Sequence, residues 1–381
     1  MLQIDQSFSM TYDYPVCFDR AVFAPENMLL GDILSRAGNG PHRVLPVIDS
    51  QVLEVHTDLI DRLEHYANIH GDRIELIGPP LIVRGGEICK TEPTEVEEFY
   101  ARTQTDNIDR HSFVLVIGGG AVIDAIGYAT ATAHRGIRLI RMPTTVLGQN
   151  DAGIGVKNAV NYRGRKNYLG CFTAPYAVIN DFDFLESLPD RERISGIAEA
   201  VKVSLIRDAE FFNWLHSHRQ ELSRFEREQS EYMVVRCAEL HLKHIRTSGD
   251  PFEQGSARPL DFGHWGAHRL EEMSGGELRH GEAVAIGVAM DSLYSCLKGM
   301  ISKESVIRIR ETLEGVGFTL THPALASLDI YRALEDFREH LGGQLCITLL
   351  TGEGSAVEVN DIDLELMQNA RQQMLEGQWP S

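Results

Sequence analysis

Three histidines lie close together in one stretch of the sequence. His264 and His268 are four residues apart in "DFGHWGAHRLEEM", and His280 follows in "RHGEAVAIG". Residues four apart share one face of a helix, and imidazole is a common metal ligand. This spacing predicts a metal site, although a helix that merely carries polar residues would show the same pattern. Spacing alone does not fix which two of the histidines bind.

A carboxylate in apolar surroundings supports the same chemistry. Glu199 and Lys202 are three residues apart in "SGIAEAVKVSLI", which places them on one helical face. A buried carboxylate needs a cationic partner, and that partner is either Lys202 or a metal ion. A glutamate with two histidines makes an open ligand set, typical of catalytic Zn²⁺ sites that keep a position for substrate.

Two glycine-bearing stretches indicate a nucleotide site. "VLVIGGGAVID" places Gly118, Gly119 and Gly120 between an apolar run and a helical pattern. Backbone N–H groups can approach a phosphate there, at the positive end of a helix. The pattern is not the GxGxxG fingerprint, and a tight strand–helix turn would look the same. Upstream, "RGGEICKT" places Glu87 and Lys90 in a polar loop that suits a ribose and a neighbouring phosphate.

A longer polar segment follows at 142–170, "MPTTVLGQNDAGIGVKNAVNYRGRKNYLG". Asp151, Lys157, Lys166 and Asn167 are spread among its glycines. Loops of this composition usually surround a ligand, and lysines serve as point charges for phosphate. The interleaved Val, Leu and Ala residues argue against an exposed flexible loop.

These residues must be positioned by an alternation of strands and helices. Strands are predicted at 42–49, 112–120 and 137–145, with an extended stretch at 73–83. Helical patterns separate them at 53–68, 95–108 and 121–134. Such alternation favours a parallel sheet covered by helices. From about residue 185 the periodicity is helical, so we expect an α/β domain at 1–184 and a mainly helical domain at 185–381.

Length and charge limit the possible functions. A chain of 381 residues suggests two domains. With 36 Lys+Arg against 55 Asp+Glu the formal charge is −19, which disfavours nucleic acids and anionic membranes as partners. The six cysteines are dispersed without a CxxC pair, as in reduced cytosolic proteins. We see neither a signal peptide nor a long apolar run, and we expect a cytoplasmic protein.

In order and spacing the motifs resemble those of dehydroquinate synthase-like sugar phosphate cyclases. The resemblance runs from about 49 to 354 and rests on "GGGAVID", "HRGI", "PTTVLGQNDAGIGVK", "RKN", "AEAVK", "DFGHWGAH" and "HGEAV". It implies a nucleotide-binding α/β domain, a helical metal-binding domain and an active site in the cleft between them. It also implies a carbon–oxygen lyase that acts on a sugar phosphate, and we expect a homodimer.

The resemblance implies a role for each matched residue. The implied ligands of Zn²⁺ or Co²⁺ are Glu199, His264 and His280. The implied contacts of NAD are Asp49, Glu87, Lys90, Gly118, Gly119, Gly120, Asp124, Thr144, Thr145, Asp151 and Lys166. The implied contacts of the substrate phosphate are Arg135, Lys157, Asn167, His268 and Arg338. Of the implied catalytic set, Asp151, Lys202 and Lys243 contact ring hydroxyls or water and assist proton transfer. The full set comprises Asp151, Lys157, Lys202, Lys243, Asp261 and His268.

The implied reaction uses NAD⁺ as a recycled oxidant. A carbinol of the sugar phosphate is oxidised while the metal polarises its oxygen, the ketone acidifies the adjacent C–H, and phosphate leaves. The hydride then returns, the ring opens, and an intramolecular aldol reaction closes a carbocycle.

Departures from the family pattern bear on the substrate. The arginine that binds the substrate carboxylate in dehydroquinate synthases falls on Ala257, with Arg258 next to it, and the asparagine of "NFGH" falls on Asp261. Both changes favour sedoheptulose 7-phosphate and a 2-epi-5-epi-valiolone type of product. Yet valiolone-type enzymes carry "GHTFSP", whereas this chain keeps His268, and it also keeps Lys243 as dehydroquinate synthases do.

Three alternatives stay open. The first is a true 3-dehydroquinate synthase acting on 3-deoxy-arabino-heptulosonate 7-phosphate. The second is an iron-type polyol dehydrogenase of the same architecture, against which Lys157, Asn167 and "HGEAV" argue. The third is a non-catalytic binding protein, which is disfavoured because all the metal-ligand positions are filled.

Overall fold

The computed structural model describes residues 1–252 and 259–380. They form two compact units. The α/β unit comprises residues 1–144 and 156–181, and the helical unit comprises 145–155 and the described residues from 182 onward. Segment 145–155 therefore belongs to the helical unit, although residues of the α/β unit precede and follow it in the sequence.

The α/β unit is built on a parallel sheet. The strands of that sheet are β1 (Val16–Asp19), β2 (His42–Asp49), β3 (Ile74–Leu76), β4 (Leu81–Val83), β5 (Phe113–Gly118), β6 (Arg138–Pro143) and β9 (Ala177–Asp181). Strands β7 (Lys157–Tyr162) and β8 (Arg165–Phe172) of the same unit form a separate pair. The order across the sheet is β1-β9-β6-β5-β2-β3, with β4 also paired to β2 and every pair parallel. Strand β5, "FVLVIG", is buried along its whole length, as expected of a central strand covered on both faces.

Six helices belong to this unit. They are α1 (Leu29–Ser35), α2 (Ser50–Val55), α3 (Leu59–Ile69), α4 (Ile88–Thr91), α5 (Thr94–Thr105) and α6 (Gly120–Thr132), which a short 3₁₀ turn at Ala133–Arg135 extends. Helix α6 is rich in alanine and glycine, so it can approach the sheet closely. The parallel sheet and its helices confirm the α/β class expected from the sequence.

Strands β7 and β8 form an antiparallel hairpin within the segment for which the sequence predicts only a ligand-binding loop. Arg163 and Gly164 both have positive φ, 49° and 79°, at the two-residue turn. Two consecutive positive φ values fit the twist of a tight hairpin. Strand β8 is exposed along most of its length, so it lacks the apolar alternation that would have revealed it.

The helical unit begins with a π-helical turn at Gly148–Ala152. Its helices are α7 (Asp183–Glu186), α8 (Asp190–Ser195), α9 (Ile197–Arg207), α10 (Ala209–Ser217), α11 (Arg219–Ser223), α12 (Arg227–Thr247), α13 (His264–Met273), α14 (His280–Leu297), α15 (Lys303–Val316), α16 (Pro323–Ala326), α17 (Ile330–His340) and α18 (Leu364–Glu376). A 3₁₀ turn at Pro259–Asp261 precedes α13, and β10 (Ile347–Gly352) pairs antiparallel with β11 (Ser355–Val359). The mainly helical second half is therefore confirmed.

Helices α13 and α14 approach so closely that side chains are excluded at the contact. A Cβ on Gly287 would lie 2.0 Å from the carbonyl oxygen of Gly263, and one on Gly263 would lie 2.6 Å from the nitrogen of Val288. Gly263 also has a φ of 77°, which disfavours any other residue. The start of α13 is thus fixed against the middle of α14.

In the described part of the chain, no helix has both the length and the apolar character needed to cross a membrane.

Gly127 in α6 provides a test of close packing in the α/β unit. A Cβ there would lie 1.9 Å from Oδ1 of Asn158, which accepts a 2.6 Å hydrogen bond from the fully buried Arg141. Gly127→Ala should displace Asn158, take one partner from the guanidinium, and lower the free energy of unfolding by roughly 2 kcal/mol or more.

Urea unfolding followed by circular dichroism measures this loss. Gly71→Ala in the same unit is the matched control, because its Cβ would meet nothing closer than 3.5 Å. Equal midpoints for the two variants would contradict the packing account.

Candidate active site

Three elements of the helical unit bring one carboxylate and two imidazoles together. Glu199 lies in the first turn of α9, while His264 and His280 are the first residues of α13 and α14. Their candidate ligand atoms all lie within 4.8 Å of one another. Nε2 of His264 and Nε2 of His280 are 3.7 Å and 3.6 Å from the same oxygen, Oε1 of Glu199.

The other ring nitrogen of each histidine is engaged on the far side. Nδ1 of His264 lies 3.1 Å from the carbonyl oxygen of Phe262, and Nδ1 of His280 lies 3.3 Å from Oε2 of Glu271. An acceptor at Nδ1 fixes the proton there and leaves Nε2 as the ligand atom, which is how metal-binding histidines are usually held.

The two carboxylate oxygens of Glu199 have different surroundings, so that Lys202 and a metal ion could both be partners of this residue. Lys202 contacts Oε2, whereas Oε1 faces the two histidines at distances too long for hydrogen bonds. Oε1 is buried and has no hydrogen-bond partner among residues 1–252 and 259–380. A buried oxygen without a partner is costly, and a divalent cation between it and the imidazoles would satisfy it. The residues present therefore fit a metal ion.

The charges of the cluster agree with this interpretation. Burial alone would raise the pKa of Glu199, but the Lys202 ammonium outweighs it and lowers the pKa to about 2. Burial alone would lower the pKa of His280, but the carboxylates of Glu199 and Glu271 outweigh it and raise the pKa to about 9. The site thus holds an ionised carboxylate that attracts positive charge.

His268 lies one turn beyond His264 on α13, and its side chain is exposed. Its ring centroid is 5.3 Å from that of His264 and 6.1 Å from that of His280. It is not among the ligand atoms that come within 4.8 Å of one another. His268 therefore lies next to the three candidate ligands without belonging to their set.

The other predicted residues of the helical unit are spread around this cluster. Asp151 lies in the π-helical turn, and Lys243 is exposed on α12. Asp261 ends the 3₁₀ turn before α13, and its charge helps to raise the pKa of Lys202. Arg338 on α17 is half-exposed and pairs with Glu335 of its own helix. Ala257 and Arg258 lie outside the described residues.

Two polar contacts in this unit were not predicted from the sequence. Oδ1 of Asp151 lies 2.6 Å from Nδ1 of His241 on α12. Asp291 of α14 accepts hydrogen bonds from the Gly263 N–H (3.1 Å) and the Trp265 indole N–H (3.0 Å), on either side of His264. A charged residue within the apolar run of α14 was the available sequence signal for Asp291.

In the α/β unit the predicted nucleotide residues gather at the carboxyl ends of β2 and β5. Gly118 ends β5, and Gly119 and Gly120 open α6. Asp49 ends β2, caps α2 through the Gln51 N–H, and has its pKa raised by burial. A Cβ on Gly118 would lie 3.1 Å from the Asp49 Cβ. In parallel α/β sheets this edge, with a helix N-terminus beside it, is where nucleotides bind.

Helix α4 and the β7–β8 hairpin are joined by a polar network. Nζ of Lys90 donates to Oδ2 of Asp124 at 2.7 Å and also contacts Asn167. Asn161 donates to the Glu87 carboxylate at 2.7 Å and accepts from the Asn167 N–H. Three predicted NAD contacts, Glu87, Lys90 and Asp124, and one predicted phosphate contact, Asn167, are thus brought together. Asn161 was missed because nothing in its local sequence singles it out.

The remaining predicted residues occupy exposed or boundary positions. Arg135 is exposed, with a φ of 63°, in the turn after α6, and Lys157 and Lys166 are exposed on the hairpin. Thr144 follows β6 and donates its N–H to the Gly118 carbonyl at 3.0 Å. Thr145 opens the helical unit, where its hydroxyl accepts from the Gly148 N–H.

Comparison with known sequences gives one family over most of the chain. Residues 80–195 match the family model of the 3-dehydroquinate synthase N-terminal domain, and residues 196–339 match that of the C-terminal domain. A 3-dehydroquinate synthase from Shewanella halifaxensis is 33% identical over 293 residues, which cover 76% of this chain and 80% of that protein. One from Shewanella pealeana has the same identity and coverage.

Solved structures give the same result at the level of fold. A 2-epi-5-epi-valiolone synthase from Streptomyces hygroscopicus, with NAD⁺ and Zn²⁺ bound, superposes with a TM-score of 0.87 and 28% identity, covering 98% of this chain and all of that one. A 2-deoxy-scyllo-inosose synthase with a TM-score of 0.76 and 22% identity covers 94% of this chain and 96% of that one. At that identity the second structure supports the fold alone.

Removing one imidazole of the cluster tests the metal site. His264→Ala deletes an atom of the set, so affinity for Zn²⁺ should fall roughly 100-fold or more, beyond the 10–100-fold typical of outer-shell partners. Metal content after dialysis, measured by mass spectrometry, reports the loss. His268→Ala on the same helix is the control and should retain the metal. Equal metal content in the two variants would refute the ligand set.

Proposed function

The chain belongs to the 3-dehydroquinate synthase family, and from this premise we propose an NAD- and metal-dependent sugar phosphate cyclase that acts on a heptulose 7-phosphate. It cleaves a carbon–oxygen bond to phosphate and closes the sugar into a carbocycle, so it is a carbon–oxygen lyase. The observation that carries the proposal is the set formed by Glu199, His264 and His280, with its unpartnered Oε1. Zn²⁺ or Co²⁺ bound there supplies a Lewis acid for the oxygen of the carbinol that is oxidised.

NAD is the proposed cofactor, recycled in each turnover. The glycine turn Gly118–Gly120, at the edge of a parallel sheet and the start of α6, supports binding of a pyrophosphate. The similar 2-epi-5-epi-valiolone synthase holds NAD⁺. The acidic Glu87 favours a free ribose hydroxyl over a 2′-phosphate. The other proposed contacts are Asp49, Lys90, Asp124, Thr144, Thr145, Asp151 and Lys166.

The substrate phosphate is proposed to meet a group of cations and polar side chains. Lysine and arginine neutralise the phosphate charge, and asparagine and histidine donate hydrogen bonds to it. This group comprises Arg135, Lys157, Asn167, His268 and Arg338. Around the sugar ring, Asp151, Lys202, Lys243 and Asp261 are proposed to contact hydroxyl groups. We also propose an α/β domain at 1–184, a metal-binding domain at 185–381, a homodimer and a cytoplasmic location.

The proposed substrate is sedoheptulose 7-phosphate, converted to a cyclitol of the 2-epi-5-epi-valiolone type. A carboxylated sugar needs a cation, but the expected arginine is Ala257 and the expected asparagine is the anionic Asp261. The second candidate is 3-dehydroquinate synthase activity, favoured by the 33% identity to proteins of that name and by the retained His268 and Lys243.

Phosphate release without net reduction of NAD⁺ tests the reaction class. The protein is incubated with NAD⁺, Zn²⁺ or Co²⁺, and each sugar phosphate in turn, and phosphate and NADH are both followed. A cyclase should release phosphate over many turnovers while NADH never exceeds the enzyme concentration, because the hydride returns. Stoichiometric accumulation of NADH would instead indicate a polyol dehydrogenase.

The identity of the sugar is tested by relative rates. kcat/KM should be at least tenfold higher for sedoheptulose 7-phosphate than for 3-deoxy-arabino-heptulosonate 7-phosphate, a difference of about 1.4 kcal/mol. Ala257→Arg should reduce this preference by supplying a cation, whereas Ala257→Met, of similar length but neutral, should not. Faster turnover of the carboxylated sugar by the unmodified protein would favour the second candidate.

A further inference from the structure

Asp151 and His241 form a carboxylate–imidazole pair in the helical unit. Asp151 comes from the π-helical turn, His241 comes from α12, and Oδ1 lies 2.6 Å from Nδ1. An ionised carboxylate only accepts hydrogen bonds, so a proton on Nδ1 would point to Oδ1 of Asp151. In the neutral ring Nε2 is then left with a free lone pair.

That second nitrogen is open. Nε2 of His241 has no hydrogen-bond partner within residues 1–252 and 259–380, and the side chain is 16% exposed. Gly155 lies beside it and has no side chain; a Cβ there would come within 3.5 Å of Nε2. A base oriented by a carboxylate at one nitrogen and open at the other matches the geometry of histidines that transfer protons.

The Asp151–His241 pair lies close enough to Glu199 and His264 for the charge of Asp151 to interact with theirs. The pKa of Asp151 is far below its usual range, because His241, Lys202 and His264 outweigh the opposing effect of burial. The charge of Asp151 in turn helps to raise the pKa of Lys202. The same carboxylate therefore faces both the imidazole and the cluster.

Other groups of the cluster are poorly suited to accept a proton. Lys202 keeps its proton because its pKa is raised by Glu199 and Asp151 despite burial. Asp151 is too weak a base. His264 and His280 have Nδ1 engaged and direct Nε2 toward Glu199. His241 provides a ring nitrogen, Nε2, that none of these contacts uses.

We propose that His241, oriented by Asp151, is a further proton-transferring residue of this enzyme. The inference rests on the proposed cyclase function. Oxidation of the carbinol would break its C–H bond, with bound NAD⁺ as hydride acceptor, and its O–H bond, with Nε2 of His241 as proton acceptor. When the hydride returns to the carbonyl carbon, the N–H bond at Nε2 breaks and the O–H bond re-forms. Hydride and proton are both restored, so the ring is neutral again at the end of each turnover.

His241→Asn separates proton transfer from structure. The asparagine amide still donates to Asp151 near the former Nδ1, but no group remains at the place of Nε2. kcat should fall about 100-fold or more, the usual contribution of general acid–base catalysis, with KM within threefold of the original. Metal content and NAD⁺ affinity should not change. His244→Asn is the matched control on the same helix, since His244 contacts Arg207, and it should keep full activity.

A second variant asks whether the missing group is an imidazole. His241→Gly leaves space for free imidazole, which should restore kcat at least tenfold in a saturable manner. His241→Asn activity within threefold of the original protein, or no rescue of His241→Gly, would overturn the proposal. Loss of bound metal or of the fold in His241→Asn would assign His241 a structural role and overturn it as well.

A measurement without turnover keeps this inference distinct from the function proposed above. With ¹⁵N-labelled histidine, the resonances missing from His241→Asn identify this ring, and they should report a proton on Nδ1 and none on Nε2. The opposite tautomer would refute the pair as a proton carrier even if phosphate is released. If the unmodified protein releases no phosphate from any sugar, the proposed function fails whatever the tautomer.

Discussion

Glu199 carries a carboxylate that is 1% exposed, and an ionised group at that depth must be compensated on all sides. Lys202, one turn later on α9, covers one oxygen, and the first residues of α13 and α14 face the other. Removing a partner from such a group costs several kcal/mol. The first turns of three helices therefore meet around a single charge, and the candidate metal ligands are the groups that surround it.

The close contact of α13 with α14 gives this arrangement its rigidity. Gly263 and Gly287 let the two backbones meet, so the position of His264 is set by main chain rather than by flexible side chains. Asp291 reinforces it by accepting from the N–H groups that flank His264, and burial raises its pKa to about 7. Such a carboxyl is costly to bury, and its partners show that it orders the start of α13.

Local sequence patterns were sufficient for the parts of the molecule that local forces determine. The apolar run of β5, its glycine turn and the Glu199–Lys202 spacing each depend on neighbouring residues. Contacts between distant residues could not be predicted in this way. Asp151 and His241 are 90 positions apart, and Lys90 meets Asn167 across 77. The exposed hairpin was missed for a related reason, since its strands lack the apolar alternation that burial imposes.

The distribution of charge supports the proposed binding of a small phosphorylated ligand by so acidic a protein. The formal charge is −19, which repels polyanions at long range. Exposed cations are nevertheless concentrated on the β7–β8 hairpin, where Lys157 and Lys166 accompany Arg163 and Arg165. Each arginine lies over a tyrosine ring of the same hairpin, 5.2 and 5.8 Å from its centroid. Those rings orient the arginines, and the two lysines add positive charge on the hairpin that carries the proposed phosphate contacts. Screening confines their attraction to about 10 Å, which favours a sugar phosphate over a nucleic acid.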